Sequence, residues 1–154
     1  MPSRRPIVAL LLACAALAAG CGGDAEGENA YVGEVQAAQR TFVTGFDQVR
    51  GRLTATSTLA QDRATLASFA RITGSFNASL ARIEPPAGVR RQHRALVAVI
   101  ARLEQQFERG RLRLQRGGTD TDRSVVRTEL SSSVDGTQAQ VSKAVADINA
   151  GLRG

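Results

Sequence analysis

Few residues in this chain are of types that could do chemistry. Among 154 residues there is one histidine (His93), two cysteines (Cys14 and Cys21) and one tyrosine; there is no tryptophan, and the only methionine is Met1. His93 falls on an apolar stripe, Val89-His93-Leu96-Ile100, spaced 4-3-4. A neutral imidazole in that place could ligate a metal, pass a proton, contact a ligand, or bond a backbone carbonyl of the turn Glu84-Pro85-Pro86-Ala87-Gly88. A metal site needs three or four ligands, and no second histidine is present to join this one, so no metal is expected. Haem is expected still less, because no Cys-x-x-Cys-His occurs. Gly-x-Ser-x-Gly, Ser-x-x-Lys and a phosphate-cradling glycine loop are also missing. Glu104 and Glu108 are a like-charged surface pair with arginine neighbours, a poor carboxylate pair for glycoside cleavage. The expectation is a protein that is not an enzyme and has no cofactor.

Charge is the second feature. Lys+Arg number 20 against 14 Asp+Glu, a net +6, and every base except Lys143 is arginine. Residues 88–118 hold eight arginines against Glu104 and Glu108, so this one segment carries a net +6. On a helix, Arg91, Arg102, Arg109, Arg113 and Arg116 fall within about 60° of one another, opposite the apolar stripe. Such a ridge could face anionic lipid or a cell-wall polymer, or it could be a solvated helix face. Nucleic acid is not an expected partner, because no aromatic residues interleave the bases.

The chain begins with Arg4 and Arg5, then the apolar run Ile7–Ala19, then Gly20-Cys21. A charged start, a short apolar stretch and a small-residue exit predict a secretory signal peptide, too short to span a bilayer permanently. Leu17-Ala18-Ala19-Gly20-Cys21 resembles a bacterial lipobox, with Ala18 where leucine is commoner. The resemblance implies lipidation of Cys21, which becomes the mature N-terminus; Cys14 follows too short an apolar run to serve. Ser3-Arg4-Arg5 also resembles the start of a twin-arginine signal without its usual continuation, so the export route stays open. Cys21 would then be the only mature cysteine, which excludes an intramolecular disulfide. Residues 21–29, rich in glycine and acids, read as a flexible tether.

Four amphipathic segments follow. The first stripe is Val35, Ala38, Phe42, Phe46, Val49 and Leu53. Thr58-Leu59-Ala60-Gln61 fits a capping box that starts a second helix, with the stripe Leu59, Leu66, Phe69, Thr73, Phe76, Leu80 and Ile83. The proline pair breaks the chain. The third stripe runs Val89, His93, Leu96, Ile100, Leu103, Phe107, Gly110 and Leu114. Gly117-Gly118 ends it, and Thr119 or Asp120 can cap a fourth helix along Val126, Leu130, Val134, Thr137, Val141, Val145, Ile148 and Leu152. The pattern predicts an all-α, antiparallel up-down-up-down four-helix bundle over 30–154, with helices near 30–54, 58–84, 88–117 and 120–152, after a signal peptide over 1–20. Ser131-Ser132-Ser133 beside Gly136 marks the place where a kink or a split of this helix is expected. Gly110, Thr73 and Thr137 on the stripes point either to a loosened core or to a close helix crossing.

Pro85-Pro86 followed by His93, Leu96 and Ile100, together with the signal region, resembles small uncharacterised lipoproteins of high-GC Gram-positive bacteria. That resemblance implies a helical envelope lipoprotein on the outer face of the cytoplasmic membrane, held by its N-terminal lipid, and brings no activity with it. The expected role is an interaction or scaffold module for an unknown envelope protein. The alternative is a small-ligand carrier with a cavity near His93. A catalytically silent accessory subunit is a third possibility.

Overall fold

The structure, a computed structural model, describes residues 25–153. The signal peptide and Cys21 lie outside the described residues. Four helices follow in order: α1 (Ala25–Arg50), α2 (Leu59–Arg82), α3 (Arg90–Arg116) and α4 (Asp120–Gly151), with one 3-10 turn at Ala87–Val89. They form an all-α four-helix bundle, in which short connections make successive helices antiparallel neighbours. No helix among the described residues is long and apolar enough to cross a membrane.

Both expected caps form. Thr58 Oγ1 accepts from the Gln61 N–H at 3.2 Å while Gln61 Oε1 accepts from the Thr58 N–H at 2.7 Å. Thr119 and Asp122 make the same reciprocal pair at the start of α4. Gly118, at φ 69°, is the left-handed residue that lets the chain leave α3.

Two helix ends and one expected kink differ from the sequence pattern. Helix α1 begins at Ala25, so residues 25–29 are helix rather than tether; Glu26 and Glu28 in its first turn complement the helix dipole. It ends at Arg50 rather than near 54, because Thr54 and Ser57 bond one another through hydroxyls and backbone, a local alternative to helix. Helix α4 passes unbroken through Ser131–Ser133 and Gly136. Gly136 is exposed, with nothing near its missing β-carbon, so no neighbouring element forces a bend there.

Helix α3 is central, packed along α2 and α4, while α1 lies mainly along α2. Its seam residues Val35, Ala38, Phe42 and Phe46 are only half-buried; Tyr31 and Val49 are its buried apolar residues. The core has two halves. Tyr31, Phe76, Leu80, Val89, Leu96, Ile100, Ala144 and Ile148 fill the Pro-Pro end, and Val49, Leu66, Phe69, Leu103, Phe107, Leu114, Val126 and Leu130 fill the Gly-Gly end. All five phenylalanines join the halves in one chain of ring contacts, from Phe76 through Phe42, Phe46 and Phe69 to Phe107, with centroids 4.7–5.5 Å apart. Gly110 is a close crossing: a β-carbon there would lie 3.2 Å from Val126 and 3.8 Å from Leu66 and Leu130.

Candidate functional site

The 4-3-4 stripe turns His93 inward one turn after the start of α3, where it is 4% exposed. Its Nε2 lies 3.1 Å from the Leu80 carbonyl oxygen and its Nδ1 lies 3.1 Å from the Tyr31 hydroxyl. A carbonyl can only accept, so Nε2 carries the proton; neutral Nδ1 then accepts from the tyrosine. The rings meet edge-on at 5.7 Å. Burial pushes the imidazole below its ordinary value, against the opposing effect of the Leu80 bond, so the neutral form is the one this site favours. Both ring nitrogens are engaged by protein groups. The acceptor is the last turn of α2 rather than the proline turn itself, because Pro85 and Pro86 follow that turn and only set the angle at which α3 returns.

The ridge arginines Arg91, Arg102, Arg109, Arg113 and Arg116 are all exposed, but they do not stand alone on an outer face. Helix α4 runs alongside. Arg113 pairs with Asp122 at 3.3 Å and Glu129 at 3.5 Å, and Arg102 donates to Gln140 Oε1 at 3.1 Å. Arg91 borders a shallow groove with Lys143 and Asp147. The stripe angles place these side chains correctly about α3, yet only the packing of α4 supplies Asp122, Glu129 and Gln140.

A cluster at the opposite end is invisible in the stripes as read. Asp62 is 1% exposed. Its Oδ1 accepts from the Ser57 hydroxyl, and its Oδ2 accepts from Arg123 Nε at 2.8 Å and Arg127 Nη2 at 3.0 Å. Arg123 also donates to the Ser57 carbonyl oxygen and to Asp120 at 3.0 Å. Burial by itself would raise the Asp62 carboxyl. The Ser57 and Arg123 hydrogen bonds and the charges of Arg127 and Arg123 outweigh it and hold the group below its ordinary value. Nearby, Arg63 Nε donates to the Leu114 carbonyl oxygen at 3.0 Å, closing the last turn of α3. The carboxylate's oxygens are taken up by protein donors, so the cluster ties the 51–58 loop, α2 and α4 together. Its signal was available: Leu59, Asp62, Leu66, Phe69 and Thr73 keep an unbroken 3-4 rhythm, with Asp62 on a core position.

Among the described residues, no three of His, Cys, Asp and Glu come together as a metal site. The chain matches no family model, no curated protein and no solved structure.

Proposed function

We propose that the protein is a lipid-anchored, non-enzymatic envelope module, held at the outer face of the cytoplasmic membrane through Cys21 and acting by its surface on an envelope partner. The observation that carries this reading is the placement of the bundle relative to the lipobox-like Leu17–Cys21. Helix α1 starts four residues after Cys21. Four residues reach about 14 Å at full extension, so an acylated Cys21 would hold the Pro-Pro end directly over the bilayer. Two or more acyl chains give stable attachment where one gives only marginal binding. Supporting it, the buried polar groups His93 and Asp62 spend their hydrogen bonds on the fold. The carrier alternative requires a ligand to displace Tyr31 or Leu80 from the imidazole.

Native mass spectrometry of the full protein extracted gently from membranes tests this reading. The expected species lacks residues 1–20 and carries acyl groups on Cys21. An unmodified Cys21 overturns the anchor, and a stoichiometric small molecule bound near His93 favours the carrier.

A further inference from the structure

The arginines of this protein divide by their surroundings. Toward the Gly-Gly end most are held by the protein: Arg63 by the Leu114 carbonyl, Arg111 by Glu108, Arg113 by Asp122 and Glu129, and Arg123 and Arg127 by Asp62. At the Pro-Pro end, Arg82 closes α2, Arg90, Arg91 and Arg94 open α3, and Arg153 follows α4. All five are exposed, and among the described residues none makes an ion pair or a side-chain hydrogen bond. Glu26, Glu28, Glu34 and Glu84 are the carboxylates near this end, Glu34 lining one groove with Arg82 without pairing to it, and Asp147 is occupied with Lys143 at 2.6 Å.

Two of these charges also sit where a helix least tolerates them. The first turn of α3 has no acid and Val89 offers no side-chain cap, so Arg90 and Arg91 add to the positive end of the helix dipole. The other three helices each place acids in the first turn: Glu26 and Glu28, Asp62, and Asp120 and Asp122. An unneutralised cationic surface is relieved by an anionic surface placed against it.

We propose that the end of the bundle formed by Arg82, Arg90, Arg91, Arg94 and Arg153, rather than the long side of α3, is the face that meets anionic lipid headgroups. The proposal rests on the anchored reading, because Cys21 lies four residues before this same end. Phosphatidylglycerol-type headgroups would share out the five guanidinium groups. The bundle would then stand on its end, with the Asp62 end facing away from the membrane.

The test uses the full protein purified from membranes and reconstituted into vesicles of phosphatidylcholine alone or of equal parts phosphatidylglycerol and phosphatidylcholine. Phenylglyoxal modification is followed at each arginine by peptide mass. The five end arginines should react about fivefold more slowly in the anionic vesicles, the factor expected for a cation held at such a surface. Arg102, Arg109 and Arg116 should be unchanged. Protection at those three instead, or no difference between vesicles, overturns the proposal. Equal protection by soluble polyphosphate in neutral vesicles also overturns it, assigning the surface to phosphate polymers. The combined variant Arg90→Gln, Arg91→Gln and Arg94→Gln changes only exposed residues and should abolish protection at Arg82 and Arg153. The intact mass of the same sample reads the anchor separately. A non-acylated chain with a protected end fails the anchor alone, and an acylated chain without protection fails this inference alone.

Discussion

The two ends of the bundle solve one problem, a polar group on a core position, in different ways. At the Pro-Pro end a neutral imidazole is divided between a tyrosine from α1 and a backbone carbonyl from α2. At the Gly-Gly end an ionised carboxylate is surrounded by a hydroxyl and two guanidinium groups from the loop and α4. The neutral site can lose a partner and keep most of its energy, because a neutral hydrogen bond contributes only about 1 kcal/mol net. The charged site cannot, because removing one partner of a buried ion pair leaves the others uncompensated. What each end holds differs accordingly. His93 joins the loosely packed α1 to α3, whereas Asp62 fixes α4 and the 51–58 loop against α2.

The largest effect should come from Asp62→Asn. Loss of the charge that Arg123 and Arg127 share should cost about 3 kcal/mol by urea denaturation. Amide exchange should rise first at the starts of α2 and α4. A cost under about 0.5 kcal/mol, the size of an exposed pair, would mean that the two ends do not differ in kind.

A smaller effect is expected at the other end, from His93→Leu or Tyr31→Phe. Each should cost about 1 kcal/mol and should raise exchange in α1 before the rest. Together they should cost less than the sum, because they break the same bond. The pH dependence follows from the lowered pKa values. For both His93 and Asp62 the unfolded chain takes up protons first, so stability is present above the ordinary value and falls with acid. The His93 loss should begin below 6.5 and the Asp62 loss below 3.8. Wild-type protein should therefore lose stability in two acid steps, and His93→Leu should abolish the upper one. An upper step that survives in that variant would break the assignment.

The smallest expected change is a gain. Gly136→Ala, in the middle of α4 with open space around it, should stabilise the bundle by about 0.5–1 kcal/mol and leave the contrast between the ends intact. A loss would mean that α4 needs its glycine to bend in solution.

How much was legible divides along the same line. Apolar spacing and the caps Thr58 and Thr119 locate all four helices, because periodicity and capping are local. Gly110 carries both of its readings in sequence, and only the distance to Val126 selects the close crossing. Asp62 eludes an apolar stripe because an acid is ordinarily solvent-facing. Its burial depends on Arg123 and Arg127, which are more than 60 residues away in the chain.

By itself the sequence determined that this chain forms four amphipathic helices, where the capped helices α2 and α4 start, and that His93 lies on a core face. Each follows from side-chain chemistry within one or two helical turns. Tertiary structure alone decided that His93 meets Tyr31, that Asp62 is enclosed by α4, that Arg113 is neutralised, and that the arginines of the Pro-Pro end are not. Those outcomes depend on which helices lie side by side and in what register, a choice made by packing the whole core at once rather than by any single segment.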